Sequence, residues 1–514
     1  MATFYIEQFG CRATHADGAA IERQLLERGC SLANSANAAD IVVLNTCTVT
    51  AAADAQARDT IRKLHATNPA TQIMVTGCYA QRAPEELAAL PGVTLVVGNS
   101  HKPQIPDLIS PLAPSELASS NFIPTASLLR SPRLFLSVPA GHAVPAPPSH
   151  PHLNHRDSVG AQYIALQLAT KPPTSSPDFS PASDRAFCPA PILTGNIFDL
   201  QDVLVAPVLG GECHHTRPTL KIQDGCNNRC AFCVIPFVRG KSRSLPPATV
   251  INEIRKLANA GHKEIVLSGI NLGAWGRDLS PREDFLDLLR QILDETEVAR
   301  LRLSSIEPLD VTRDMVALFA SSPRLAEHFH MPLQSASDRI LAAMHRWYRL
   351  EHYARRIDFI HEQLPHAAIG ADVIAGFPGE TEDDHAVTMN FIESRPFTYL
   401  HVFSYSLRPG TRAATLLNHV PPAVIKNRAR ELRALSEKKS AAFHLAQSGR
   451  TLSLLTLRHA DSSNSRQWTP AVSSNFLKLR LAGQFPPNEL VTAPCPADSG
   501  ALAQPHMHEL AVTS

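Results

Sequence analysis

No run in this 514-residue chain approaches the ~18 consecutive apolar residues that a membrane helix needs. The opening residues, MATFYIEQFGC, lack both the basic and the apolar stretch of an export signal. These absences lead us to expect a soluble, unexported, cytoplasmic protein with no membrane partner. A charge excess is missing too, since 48 Lys+Arg against 47 Asp+Glu leave a net charge of +1. Nucleic-acid binding is not thereby excluded, because it depends on local basic patches. The hydrophobic fraction of 44% is an ordinary globular balance with enough apolar residues for a sizeable core. The length suggests roughly two to four domains. Ten cysteines in an unexported chain argue for metal or redox chemistry over disulfides.

The most informative absence is a fourth cysteine. The run KIQDGCNNRCAFCVIPFVRG, from Lys221, places cysteines at 226, 230 and 233 and stops there. Thiolates at this spacing, in a polar loop after a strand, converge on one soft metal centre. Structural zinc takes four protein ligands, and an iron–sulfur cube usually takes four cysteines, one per iron. Three cysteines leave one metal position open, as at a site that must bind a small molecule. Cys30, Cys188, Cys213 and Cys495 stand alone and read as small buried hydrophobes.

Around this run the chain divides by pattern. Residues 1–102 alternate short apolar runs (TFYIEQFGC, DIVVLNTC, QIMVTGC, VTLVVGN) with helical segments at 16–29 and 51–66, which predicts a small parallel α/β sheet. Residues 103–210 read as an insert or linker, partly disordered, because 101–210 hold 18 of the 41 prolines and few charges. The runs RLFLSV and LQDVLVAPVL are the parts of it that could be ordered. Across 211–446 six strand candidates (TLKIQDGC, EIVLSGIN, RLRLSSIEP, HFHMPLQ, AIGADVIAGFP, YLHVFSYS) alternate with helices at 247–260, 283–294, 310–321, 336–346, 350–362 and 382–393. This pattern fits a partial (β/α) barrel, with its site at the strand C-termini. Residues 447–500 read as a small all-β module and 501–514 as a tail. The fold class is therefore α/β with a small C-terminal β module.

Cys-x-x-x-Cys-x-aromatic-Cys after the first strand of a (β/α) domain resembles the radical SAM superfamily. That resemblance implies a [4Fe–4S] cluster on Cys226, Cys230 and Cys233, whose open iron takes S-adenosylmethionine. Reductive cleavage then gives a 5′-deoxyadenosyl radical, with Phe232 beside the adenine. Three further cysteines each follow a strand of the N-terminal sheet: Cys11 in FGC, Cys47 in LNTC and Cys78 in VTGC. The C-terminal ends of such strands share one crevice, so these three could hold a second cluster.

Two three-cysteine clusters with a β module behind them resemble the methylthiotransferases, whose C-terminal module is called TRAM. The likeness covers all of the chain except roughly 101–210. NTCTVTAAADAQAR, VTGCYAQRAPEEL, LSGINLGAWGRDL and FSYSLRPGTRAA are similar to the branch acting on threonylcarbamoyladenosine in tRNA. The resemblance implies sulfur insertion and methyl transfer at C2 of N6-threonylcarbamoyladenosine, position 37 of tRNA. The cofactors would be two [4Fe–4S] clusters and S-adenosylmethionine, and the partners tRNA and an electron donor such as flavodoxin or ferredoxin. The sulfur donor stays open. Cofactor contacts are expected from Phe232, Ser268, Gly269, Asn271, Ser304, Glu307, Gly370 and Gly376. A phosphate-tracking patch is expected from Arg239, Lys241, Arg243, Lys426, Arg430, Lys478 and Arg480. Alternatives are a methylthiotransferase acting on a ribosomal protein and a non-enzymatic zinc-ribbon RNA binder. One departure is Ala336 in HMPLQSAS, where the family usually has glycine; a φ > 0 there would cost about 1 kcal/mol.

Overall fold

The structure is a computed structural model that describes residues 2–109, 189–201, 203–204, 207–208, 216–458 and 467–504. Cys188, Cys213 and the run RLFLSV lie outside these residues.

The first sheet contains β1 (Thr3–Gln8), β2 (Ser31–Leu32), β3 (Ile41–Thr46), β4 (Gln72–Gly77), β5 (Val93–Gly98) and β6 (Ile192–Leu193). All are parallel, in the order β2-β1-β3-β4-β5-β6. All six residues of β3 are buried, as a central strand covered on both faces requires. On one face Ile21 and Leu25 of helix α1 (Arg12–Glu27) pack with Phe4, Ile6 and Val43. On the other, Ala57, Ile61 and Leu64 of helix α2 (Ala51–Thr67) pack with Val42, Leu44 and Val75. The connections thus reverse between β1 and β3, and in doubly wound sheets that switch point opens the ligand crevice. Cys11 and Cys47 follow those two strands.

The edges of the expected insert belong to this sheet. A short helix (Ile105–Ile109) buries Ile105 and Ile109 in the α1 face, and Ile192 and Leu193 pair with Val96 and Val97 of β5. Proline density around them hid a short helix and a two-residue strand whose order comes from tertiary contact.

The barrel strands are β8 (Thr219–Asp224), β10 (Glu264–Gly269), β11 (Arg300–Leu303), β12 (His328–His330), β13 (Ala368–Ala375) and β14 (Tyr399–Ser404). Two parallel sheets, β8-β10-β11 and β12-β13-β14, are joined by bridges Leu301↔Leu325 and Ser305↔His330 into one partial barrel. Leu220, Ile222, Ile265, Leu267, Leu301 and Leu303 point out into the main core with the surrounding helices. Strand alternation turns Lys221, Gln223, Glu264, Ser268, Arg300 and Arg302 to the opposite, inner face. A short hairpin partner, β7 (Pro207–Val208), and β9 (Arg243–Ser244) flank β8.

The helix expected over 336–346 is only Asp338–Ala343, because Ser337 caps it, its side chain accepting from Ile340 N. Ala336 does not take a positive φ; Gln334 does, at 64°. Ala336 is buried and its N–H donates to Thr388 Oγ1 at 3.1 Å, so alanine carries no backbone cost there.

The C-terminal module is a sheet of order β18-β15-β16-β17-β19, formed by β15 (Thr451–Thr456), β16 (Trp468–Ser473), β17 (Lys478–Ala482), β18 (Leu490–Pro494) and β19 (Leu502–Ala503). The expected tail therefore begins with a strand, since Leu502 and Ala503 pair with Arg480 and Leu481. The module docks on the N-terminal end of the barrel. Arg302 donates to the carbonyls of Ser473 (2.9 Å) and Ser474 (3.0 Å), and Arg300 to that of Ser453 (3.0 Å). Glu264, fully buried, accepts from Arg300 Nε at 2.6 Å and Arg302 Nε at 2.7 Å.

Candidate active site: two cysteine triads around one cleft

A glycine at positive φ precedes two of the three N-terminal cysteines, Cys11 and Cys78. Gly10 (φ +92°) lies so close to Cys47 that an added Cβ would fall 2.6 Å from its Sγ. Gly77 (φ +102°), before Cys78, passes over the Thr46 backbone, where a Cβ would fall 2.2 Å from the carbonyl oxygen. Only glycine combines that φ with that approach. The result brings Cys11, Cys47 and Cys78 together at the switch point. Burial, and then the neighbouring Cys78 and Cys11, push the Cys47 thiol up to about 12. A buried thiol such as Cys47 needs a nearby cation to deprotonate, which a metal centre supplies. Asn99 Nδ2 donates to Cys78 Sγ at 3.5 Å, and Thr14 Oγ1 lies 3.5 Å from Cys11 Sγ.

The second triad repeats the device. Gly225 (φ +70°) lets the chain pass the Lys241 carbonyl just before Cys226. Cys226 accepts from Asn228 N at 3.4 Å, and Arg346 Nη1 donates to Cys230 Sγ at 3.2 Å. Burial pushes Cys226 up to about 11, and burial followed by Cys230 pushes Cys233 up to about 12. At the adjacent strand ends Asn271 Oδ1 and Ser304 Oγ are buried with no hydrogen-bond partner among the described residues. Unpaired polar atoms of this kind are costly unless a ligand meets them. The donor set and these atoms fit a cluster carrying a polar, chelating small molecule.

The triads are neighbours. Cys78 packs against Val234 and Val238, within and just after the loop that carries Cys233. A cleft of about 230 Å³ is lined from one side by Val49 and Thr50, just past Cys47, and from the other by Phe232, Cys233, Ile374 and Tyr405. Asp372 forms part of its polar wall. Burial opposes its ionisation, yet hydrogen bonds with His330 and His401 hold its carboxyl well below the usual range.

Of the expected cofactor contacts, Phe232 lines this cleft and Ser268, Asn271 and Ser304 are buried at strand ends. Glu307 is bonded to Arg346. Gly370 and Gly376 are explained by packing, since a Cβ would strike the Tyr399 ring or Ile425. Gly269 lies against Gln223.

The expected phosphate patch is corrected at two positions. Arg239 and Arg243 are buried: Arg239 is bonded to Asp17 and Asp224, and Arg243 donates to the carbonyls of Arg239 and Lys241. Lys241, Lys426, Arg430, Lys478 and Arg480 are exposed. Lys478 and Arg480 share the outer face of β17, with Arg480 4.9 Å above the Trp468 ring. Residues the sequence reading missed include Asp17, Asn99, Lys102 and Arg346. The glycine-cysteine dipeptides at 10–11, 77–78 and 225–226 were the available signal.

Comparison with known proteins agrees with this geometry. Residues 3–98 match the model of uncharacterized protein family UPF0004 and residues 220–392 that of the radical SAM superfamily. The chain is 32% identical over 484 residues to threonylcarbamoyladenosine tRNA methylthiotransferase MtaB of Bacillus subtilis, covering 94% of this chain and 91% of that one. The chain belongs to the radical SAM methylthiotransferase family. The Aquifex aeolicus protein of the same name is 31% identical, with 88% and 92% covered. A tRNA-2-methylthio-N(6)-dimethylallyladenosine synthase of Thermobifida fusca is 31% identical, with 88% and 77% covered. Among solved structures, the radical S-adenosylmethionine methyltransferase TsrM of Kitasatospora setae shares the fold (TM-score 0.52, 14% identity, 80% and 77% covered). Radical SAM enzymes work with a [4Fe–4S] cluster and S-adenosylmethionine, and this family member is an enzyme of that class. Among the described residues no helix is long and apolar enough to cross a membrane.

Proposed function

We propose that the protein converts N6-threonylcarbamoyladenosine at position 37 of tRNA to its 2-methylthio derivative. Cys226, Cys230 and Cys233 would hold the cluster that binds S-adenosylmethionine, and Cys11, Cys47 and Cys78 a second cluster. The observation that carries the reading is the pair of neighbouring triads, each one ligand short of four, with Val49 and Thr50, just past Cys47, facing Phe232 and Cys233 across one cleft. The relatives of similar length named for threonylcarbamoyladenosine favour that substrate. When bound, these groups supply one-electron chemistry, which an aromatic C–H bond requires and acid–base side chains cannot provide.

The chain's own residues would bind, orient and shield. Phe232, Ile374 and Tyr405 offer an apolar wall for a purine ring. Val49 and Thr50 line the cleft from the other domain. Arg346 fixes both Cys230 and Glu307. Lys241, Lys426, Arg430, Lys478 and Arg480 would follow the phosphates, while a loop base leaves its stack to enter. Electrons would come from a flavodoxin- or ferredoxin-type donor. The domains are read as 1–109 with 189–200, the barrel from 216 to 446, and a TRAM-like module from 447 to 504.

The test is anaerobic turnover on tRNA carrying N6-threonylcarbamoyladenosine, read by nucleoside mass spectrometry. The 2-methylthio product is expected from wild type. Cys11→Ala/Cys47→Ala/Cys78→Ala should lose it while still releasing 5′-deoxyadenosine. Product on a ribosomal protein but not on tRNA, or zinc in place of iron, would refute the proposal.

A further inference from the structure

Between the N-terminal sheet and the barrel lies a knot of buried charge beside the first cysteine triad. Asp17 of α1 accepts from Lys102 Nζ at 2.9 Å, from Arg239 Nη2 at 3.0 Å and from Lys221 Nζ. Asp224 accepts from Lys221 Nζ at 2.8 Å and from Arg239 Nη1 at 2.9 and 3.0 Å. Lys102, Lys221, Arg239 and Asp17 are each 1–2% exposed. Among the described residues three cations therefore face two carboxylates. Burial opposes ionisation of Asp17, yet Arg239, Lys102 and Lys221 hold it well below the usual range. A buried excess of positive charge is costly unless an anion offsets it.

The excess points at the cysteines. Arg239 Nη2 lies 3.4 Å from Thr14 Oγ1, the hydroxyl that contacts Cys11 Sγ. Lys102 Nζ donates to Asn45 Oδ1 at 3.2 Å, two residues before Cys47. Asn99, three residues before Lys102, joins Cys78 Sγ to the Val238 carbonyl (2.7 Å), next to Arg239. Arg239 Nε and Asn99 Oδ1 remain buried without a hydrogen-bond partner among the described residues. A doubly positive cubane on three thiolates is a monoanion, which is the sign of charge this knot lacks.

We propose that Arg239 and Lys102 are positioning residues whose excess positive charge neutralises the N-terminal cluster, raises its reduction potential and ties it to the barrel. The inference rests on the assignment of a cluster to Cys11, Cys47 and Cys78. Cluster potentials follow net local charge and burial, so the sign of each change is fixed. Removing a cation makes reduction harder, and removing a carboxylate makes it easier.

The experiment uses the full chain with Cys226→Ala/Cys230→Ala/Cys233→Ala, so that only the N-terminal site can hold iron. Iron content is measured first, then the potential by EPR-monitored redox titration. Absence of iron in this background overturns the cluster assignment and the inference with it. With iron present, Lys102→Met should shift the potential down and Asp17→Asn should shift it up, while Arg239→Lys should stay near the parent and Arg239→Gln fall below it. Shifts of one sign for all variants, or none, overturn the inference while leaving the cluster assignment standing. If Arg239→Gln loses its iron, the opposed pair Lys102→Met and Asp17→Asn still decides the question.

Discussion

Glu264→Gln should loosen the C-terminal module from the barrel by a predictable amount. Glu264 is fully buried and is contacted by three guanidiniums: Arg300 Nε (2.6 Å), Arg302 Nε (2.7 Å) and Arg217 Nη1 (3.2 Å). Burial alone would raise its pKa, but Arg302 and Arg300 bring it from an ordinary 4.5 to about 2. That difference corresponds to about 3 kcal/mol in favour of the ionised folded state. Removing one partner of a buried ion pair costs about 3–5 kcal/mol in other proteins, so two routes agree. The glutamine keeps the shape and leaves Arg300 and Arg302 buried without their anion. Both arginines hold carbonyls of the module, so the loss falls on that contact.

The assay is urea unfolding of the full chain followed by fluorescence, with Trp468 of β16 as a probe within the module. At about 1–3 kcal/mol per molar urea, the midpoint of the module's transition should fall by about 1–3 M. The pH dependence supplies an independent check. The folded pKa is depressed, so this stability is present above the unfolded pKa of about 4.5 and is lost as pH falls toward 2. The gap between wild type and variant should hold from pH 7 to 5, then narrow by about 1 kcal/mol by pH 3.5. A gap below 1 kcal/mol at pH 7, or one that widens in acid, would refute the reasoning.

Three further outcomes follow from the geometry. Gly77→Ala forces a Cβ against the Thr46 carbonyl at φ +102°, so iron bound after anaerobic reconstitution should fall from about eight to about four per chain, with 5′-deoxyadenosine release retained. Lys478→Ala/Arg480→Ala should weaken tRNA binding and reduce the slope of log K against log salt by about 1–2, measured by filter binding across salt concentrations. Deleting 115–188 should leave iron content and activity near wild type, whereas deleting 115–200 should reduce both. The longer deletion removes β6 and the Ile197 backbone, against which Gly240 packs. Equal behaviour of the two deletions would show that β6 is dispensable.

The parts of this fold legible in the sequence are those set by local period. The six barrel strands and the flanking helices show as apolar runs and 3.6-residue stripes, and most helix ends fall within two or three residues of expectation. Short elements held by distant partners do not show. β6 has two residues and exists because Val96 and Val97 offer an edge. β19 likewise exists because Arg480 and Leu481 do. The same limit explains Arg239 and Arg243. In sequence, RGKSR beside a metal motif looks like a phosphate-binding run. Only the fold places Asp17, some 220 residues earlier, within hydrogen-bonding distance of Arg239. Exposure is a tertiary property, and a basic residue at a domain seam is as available to a buried carboxylate as to a phosphate.

The glycines before the cysteines connect the two levels. A cysteine that must meet two others from different strands needs its backbone to turn at once after the strand ends. At Gly10, Gly77 and Gly225 the turn takes a left-handed φ, and each passes within contact distance of another chain segment. Cys47 is preceded by no glycine, and it is the cysteine against which Gly10 packs. It follows β3 directly, and the Gly10 turn brings the neighbouring strand end to it. The sequence signature of the triad is therefore three strand-end cysteines of which all but the central one follow glycine. That asymmetry suits a doubly wound sheet whose middle strand supplies the fixed cysteine and whose neighbours supply the ones that turn inward.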